Sequence, residues 1–338
     1  MLNSENYKIW RPPLNFINPS KIIALLLLTL LGNISWAQGF PNKPIRFIVP
    51  FPPGGGAEST VRLVAQKMSE GLGQPVVVET RPGAGGNIGT EYVARSQPDG
   101  YTLLLATSGM SIQPHMARLN WDPVRDFTPI GLIASYGLVI AAHPSVPAQN
   151  MQELISYAKA NPGKLTYGSS GSGGPLHMGA ELFNSQANTR MLHIPYKGNA
   201  PMTLAILSGE INLVFDSQVG PLPNIRAGKL KALAMTGKKR SPNLPEVPTI
   251  REIKELNLPN FEYESWNGVV VAANTPADIV QKLSQELARI TALPDVREKL
   301  MAMGYDPRSE LKEEFGAIIA NDFKRFGQVI REVGMKLD

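Results

Sequence analysis

Val49-Pro-Phe-Pro-Pro-Gly-Gly-Gly-Ala-Glu-Ser-Thr60 follows the apolar run Ile45 to Val49 and precedes apolar residues at helical spacing, Val61, Val64, Ala65 and Met68. A short β-rich run reads as a strand and the 3.6-residue period as a helix. Prolines cannot continue a strand's hydrogen-bond ladder. Glycines let the backbone turn tightly and let a ligand approach with no Cβ in the way. The helix start adds unpaired N–H groups and a partial positive charge. A strand–glycine–helix turn is therefore a ready anion site. In open α/β sheets such turns lie at the carboxyl ends of strands, where ligands bind.

Outward from that turn, β-rich runs alternate with helical stretches. Ile45–Val49, Val76–Glu79 and Tyr101–Ala106 read as strands, with helices over Ala57–Leu72 and after a Gly-rich turn at 83–89. Ile130–Ser135 and Leu138–Ala142 read as two strands divided by little more than Tyr136-Gly137. A second alternation sets helices Pro147–Ala160, Pro175–Gln186 and Ala200–Leu207 among strands Leu165–Gly168, Met191–Ile194, Leu213–Asp216 and Leu230–Met235. Pro147 suits a first helical position. Beyond a Pro-rich loop, Trp266–Ala272 is one more strand, and Pro276–Val333 is helical. The pattern predicts an α/β protein with mainly parallel sheets flanked by helices. The first unit is short of helical cover and the C-terminal helices need a sheet. Residues 38–137 with 240–338 are thus expected to form one lobe, and 138–239 the other. Two chain crossings would make a hinge.

The first 37 of the 338 residues stand apart. Lys8, Arg11 and Lys21 precede an apolar core, Ile22–Leu31, and Ser35-Trp36-Ala37 sets small residues around a large one. This predicts a secretory signal peptide (residues 1–37) cut after Ala37, and a periplasmic location. The apolar run is about half the length a bilayer needs. Its long basic lead-in suits a start codon downstream of Met1. The absence of cysteine excludes disulfides, thiolate metal sites and cysteine nucleophiles. The formal charge is +5, and the bases are scattered apart from Lys238-Lys239-Arg240. With no basic stripe interleaved with aromatics, nucleic acid is not an expected partner.

Three Gly-rich turns each follow a strand and open a helix: residues 54–56, 83–89 and 168–174. None ends in Gly-Lys-Ser/Thr, which argues against nucleoside triphosphate hydrolysis. The second imitates a dinucleotide fingerprint, but Ile88 stands in place of its third glycine; it reads better as a turn packing a helix. The third offers Ser169, Ser170 or Ser172 with His177 and Asp216, the makings of a secreted serine hydrolase, yet it lacks the Gly-x-Ser-x-Gly elbow. His115, His143, His177 and His193 show no i, i+4 pair, which argues against a metal. No cofactor is expected. What remains is anion capture by N–H and hydroxyl donors of two facing glycine loops. Four bonds to a charged group, at roughly 1.5–3 kcal/mol each, give on the order of 8 kcal/mol, near micromolar affinity before ordering costs.

Six stretches then resemble, in order, the Bug (Bordetella uptake gene) receptors, the extracytoplasmic solute-binding proteins of tripartite tricarboxylate transporters. They are Pro44–Gly56, Arg81–Gly89, Pro98–Leu103, Tyr167–His177, His193–Gly198 and Leu244–Thr249. The resemblance implies a two-lobed periplasmic binding protein of type II that closes on its ligand like a flytrap. It implies a monomer that captures a small carboxylate and delivers it to membrane permease subunits. Carried over by position, the first-lobe contacts are Phe51, Pro53, Gly54, Gly55 and Gly56, with Thr107 and Ser108. The second-lobe contacts are Ser169, Ser170, Gly171, Gly173 and Gly174, with His177, Asp216 and Ser217. Phe51 would supply an aromatic wall. Where the family usually has Asp, this chain has Glu58. Glu is a poor N-cap, so Glu58 is expected to reach into the pocket and repel or reposition an anion. That would open the site to a neutral, amide-bearing or cationic-tailed ligand. The alternatives of a hydrolase, or of a ligand sensor for a signalling partner, stay open, as does the choice of ligand.

Overall fold

The structure, a computed structural model, describes residues 39–334. The signal-peptide prediction falls outside these residues. From the first apolar run the chain forms β1 (Ile45–Val49), α1 (Gly56–Leu72), β2 (Val76–Thr80), α2 (Asn87–Ala94), β3 (Thr102–Thr107), one-turn α3 (Gly109–Ile112) and the long β4 (Phe127–Gly137). Next come β5 (Val139–Ala142), α4 (Met151–Ala160), β6 (Thr166–Ser169), α5 (Pro175–Ala187) and β7 (Leu192–Pro195). α6 (Asn199–Ser208), β8 (Leu213–Asp216), α7 (Pro221–Arg226) and β9 (Lys231–Met235) follow. The chain ends with β10 (Glu264–Ala272), α8 (Ala277–Ala292), α9 (Pro294–Ala302), β11 (Asp306–Pro307) and α10 (Lys312–Val333). Among the described residues, no helix is long and apolar enough to cross a membrane.

Two sheets organise these elements into two lobes. The first has six strands in the order β11-β4-β10-β3-β1-β2, the second five in the order β7-β6-β8-β5-β9. Both are mixed, which corrects the expectation of mainly parallel sheets. β1 pairs in parallel with β2 and β3, and β6 with β7 and β8. The pairings of β10 with β3 and β4, β11 with β4, and β5 with β8 and β9 are antiparallel. Helical crossovers force parallel neighbours. Strands that arrive from the other lobe have no such crossover and enter in the opposite sense.

The C-terminal helices supply the missing cover of the first sheet. Phe315 and Ile319 of α10 join Ile48, Leu104, Trp266 and Val270 in one buried cluster. The Trp266 indole N–H donates to Asp322 Oδ2 at 2.7 Å, and Ser284 of α8 donates to the Ile130 carbonyl at 2.9 Å. Helix α4 starts later than Pro147 suggested. Asn150 caps it by accepting the Glu153 N–H at 2.9 Å, while Glu153 accepts the Gln149 N–H at 2.8 Å. This reciprocal cap satisfies two orphan donors, which a proline at the first position cannot do.

The return to the first sheet comes at β10 rather than near residue 240. Leu244 and Val247 pack with Val139, Leu222 and Met235 of the second lobe, and the Met235 N–H donates to Pro248 O at 2.8 Å. Phe261 meets Phe183 edge-on, and Tyr263 Oη donates to Pro175 O at 2.7 Å. The two crossings are tied together. Leu138, the single residue between β4 and β5, donates its N–H to Thr236 Oγ1 at 2.7 Å. Thr236 Oγ1 donates in turn to Tyr263 O at 2.8 Å. Beside this knot Gly137 lies against Gly237: a Cβ on Gly137 would stand 2.7 Å from the Gly237 nitrogen.

Backbone meets backbone there, so nothing flexible can yield. Gly137→Ala should lower stability by about 1–3 kcal/mol, read as a lower urea midpoint with an unchanged slope. An unchanged midpoint would show that the crossing has slack.

Candidate functional site

The first glycine loop leaves β1 at Val49 and turns into α1 at Gly56, with Gly55 as an extended N-cap that has no side chain to offer. Gly54 needs its glycine because its φ is +90°. Glu58, in the first turn of α1, bends back to this loop. Its Oε2 accepts the Gly54 N–H at 2.7 Å, and its Oε1 accepts Arg62 Nε at 2.8 Å. The Gly54 bond, aided by Arg62 and opposed by burial, holds its carboxyl below the usual range. Glu58 is thus an ionised cap in the manner of a capping-box glutamate and is absent from the cleft lining. The expectation that it reaches into the pocket is corrected: a longer carboxylate spans back to Gly54, where a shorter one would cap directly. It also occupies the Gly54 N–H, a donor assigned above to the ligand.

Across the cleft, β6 ends at Ser169 and the second loop runs to Gly174, the N-cap of α5. A stacked histidine pair, His177 buried and His193 half-buried, braces this loop from behind. His177 and His193 stack with ring centroids 3.8 Å apart, and Tyr167 stacks on His193 at 5.1 Å. His177 Nδ1 accepts the Gly173 N–H at 3.1 Å, and His193 Nε2 pairs with Ser169 Oγ at 2.6 Å. Burial, and secondarily His193, depress the His177 pKa to about 3, so the ring is neutral and a competent acceptor. Parallel pairing sets Tyr167 beside His193, and the first turn of α5 brings His177 over both. Ser169 is fully buried, and its hydroxyl is taken up by His193 and the Gly171 backbone.

Between the loops lies a cavity of about 40 Å³. Of the expected residues, Phe51, Gly55, Gly56, Thr107 and Ser170 line it, together with Asp216 and Ser217. Pro53, Gly54, Gly171, Gly173 and Gly174 shape the loops without lining it. Ser108 is buried on Ser265, with the two hydroxyls 2.8 Å apart. Tyr136, Asn199 and Tyr305 also line the cavity and were missed. Asn199 directly follows the His193–Gly198 stretch, which was the available signal. Nothing local marks the tyrosines, whose rings meet edge-on at 4.9 Å. The second glycine turn packs on Pro50, as expected of it, but also reaches over: a Cβ on Gly85 would lie 2.7 Å from Ser172 O.

Asp216, the last residue of β8, is buried. Asn199 Nδ2 donates to its Oδ1 at 3.0 Å, whereas Oδ2 has no hydrogen-bond partner. Burial pushes its carboxyl up to about 7, against hydrogen bonds from Ser217 and Asn199 that pull it down. Among the described residues, no group of three His, Cys, Asp or Glu could hold a metal. The site can therefore offer backbone and hydroxyl donors, one buried acid and aromatic walls.

A family model described as "Tripartite tricarboxylate transporter family receptor" matches residues 60–335. Protein BugT of Bordetella pertussis is 34% identical over 89% of this chain and 92% of its own length. The solved periplasmic binding protein BugD is 33% identical, with TM-score 0.82 over 88% of this chain and 99% of its own. R. palustris Rpa4515, solved with adipate, is 32% identical with TM-score 0.83 over 88% of this chain and 99% of its own. MatC from Rhodopseudomonas palustris, solved with bound malate, is 28% identical with TM-score 0.79 over 86% and 100%.

The raised carboxyl of Asp216 carries a stability consequence. A folded pKa near 7 against 3.8 means its neutral form is favoured in the native protein. That contribution is complete below about pH 4 and is lost as pH rises through 7. Asp216→Asn should match the native protein's Tm near pH 4 and exceed it by several degrees at pH 8, in thermal scans without ligand. A difference that does not vary with pH would contradict a carboxyl raised by burial.

Proposed function

Because the chain belongs to the tripartite tricarboxylate transporter receptor family, we propose that it captures a small carboxylate between its lobes and delivers it to the permease subunits of such a transporter. The family is one of solute-binding receptors rather than enzymes. The observation that carries the proposal is the convergence, on one cavity, of the α1 N-terminus at Gly55–Ala57 and the second-lobe loop at Ser170, with no Lys, Arg or His in the lining. Helix-start amides and hydroxyls suit a carboxylate without a counter-cation. The neighbours solved with adipate and malate support the same ligand class.

The proposal includes export to the periplasm with cleavage after Ala37, action as a monomer, and one lobe built from residues 38–137 and the C-terminal segment. In that scheme Gly55, Gly56, Thr107, Ser170 and Ser217 donate, Phe51 walls the site, and Ser169, His177 and Gly173 hold the second loop in place. A cavity of about 40 Å³ takes one or two waters rather than a dicarboxylate. Loading then requires the lobes to part, and ligand shifts the equilibrium toward the closed form.

The stripped protein should gain a few degrees in Tm with one or more small carboxylates, since ligand at 100 times its Kd adds about 2.7 kcal/mol. Gly55→Leu tests the cleft. Gly55 is extended, so a side chain fits its backbone, yet a Cβ already meets Asn199 Oδ1 at 3.2 Å. The variant should fold and lose at least about tenfold in affinity, measured by calorimetry. Unchanged affinity would move the site elsewhere.

A further inference from the structure

A second cavity lies on the first lobe and shares no lining residue with the cleft. It is an open groove of about 930 Å³ where β1, β3 and α2 meet. Tyr92 of α2 is flanked by two guanidiniums, Arg81 at 3.7 Å from its ring centroid and Arg46 at 5.5 Å. Lys43 stands 4.2 Å from the ring centroid of Tyr101. Ile88, 55% exposed, lines the same groove. Val77, 52% exposed, pairs in register with Arg46 from the edge strand β2. Arg and Tyr are the residue types in which binding hot spots are enriched.

The charges of the groove do not balance. Its lining carries four cations, Lys43, Arg46, Arg81 and Arg95, against two acids, Glu91 and Asp99. Asp99 pairs with Lys43 and Glu91 with Arg95, while Glu79 comes from outside the lining to pair with Arg81. Arg46 is left over. It donates to Tyr92 Oη and Thr102 Oγ1, both neutral, and no carboxylate of the described residues forms an ion pair with it. Exposed pairs such as Lys43–Asp99 contribute little, so an incoming carboxylate can replace them.

The groove is also joined to the cleft through the chain. Arg81 and Ile88 line it, and the turn between them carries Gly85, whose carbonyl accepts from Gln113 Nε2. A Cβ on Gly85 would stand 2.7 Å from Ser172 O, so the tip of this turn meets the second lobe. Whatever sits in the groove thus holds both ends of a turn that the second lobe touches.

We infer that this groove is the surface by which the receptor docks on its transporter, and that it takes an acidic segment of a permease subunit with a carboxylate on Arg46. The inference rests on the proposed receptor function and adds where the partner binds. Cations spread along an open groove, with aliphatic side chains beside them, suit a chain of acidic and apolar residues. Contact of the turn with the second lobe makes docking favour the closed, loaded receptor.

The permease subunits of the cell that makes this receptor, held in lipid nanodiscs, test it by titration with labelled receptor, stripped or loaded with a carboxylate that binds. The loaded native protein should dock more tightly than the stripped one, and less tightly as salt is raised. Arg46→Glu should weaken docking by at least about tenfold, with carboxylate affinity unchanged by calorimetry. Lys159→Glu, at the exposed end of α4 on the second lobe, should dock as the native protein does. Native-like docking by Arg46→Glu would overturn the inference and leave carboxylate capture intact. So would equal losses in the two variants, or a loaded native receptor that does not dock. If Arg46→Glu fails to fold, Arg46→Gln and Arg95→Glu decide by the same criterion. Binding of no carboxylate at all would overturn the function beneath the inference as well.

Discussion

Side chains are missing where the two lobes come closest, and the cleft can shut only for that reason. A Cβ on Gly55 would press on Asn199, one on Gly56 would stand 3.0 Å from Val219, and one on Gly198 would stand 3.0 Å from Pro52. Backbone N–H groups are thereby brought to the surface of the cavity, with no bulk between them and a ligand. The same loop starts α1, so the helix's unpaired amides point where the lobes meet. Capture by main-chain groups and closure of the lobes are two results of one steric fact.

The proposed anion site, which has no cation in its lining, must be kept in shape, because its donors act through their geometry. On one side Glu58 ties Gly54 to α1 and is itself anchored by Arg62. On the other, His177 and His193 fix Gly173 and Ser169 from behind the loop. Because burial keeps His177 neutral at ordinary pH, it serves as acceptor without bringing a charge to the site. Asp216 departs from this neutral scheme. Its buried carboxyl, pushed up to about 7, is the one acid in the lining.

Local pattern carried much of this fold. The strand–glycine–helix turn at 45–72, the alternation that follows, and the return of C-terminal helices to the first sheet all leave marks in periodicity and turn residues. What stayed hidden depends on pairing between distant segments. Tyr136 and Tyr305 meet only because β11 pairs beside the end of β4. His177 and His193 lack metal-ligand spacing, yet a helix start and a neighbouring strand bring them into stacking contact. The segment 244–263 joins the second lobe through a few apolar contacts that no alternation announces. Glu58 was recognised as unusual, but its direction was set by the Gly54 N–H and Arg62, which a residue count cannot show. The mixed sheets reflect two lobe crossings, whose sense the helix–strand alternation does not encode.

Closure on a carboxylate is the central claim, and the absence of cysteine makes it directly measurable. Cysteines introduced at the exposed positions Gln97, beyond α2, and Leu204, on α6, would carry spin labels on the two lobes. Distances between them are measured by pulsed electron resonance in the stripped protein and with a stabilising carboxylate. A longer, broader distribution that sharpens to a shorter one on ligand addition is the predicted result. The same distribution with and without a ligand that demonstrably binds would contradict capture by closure between the lobes.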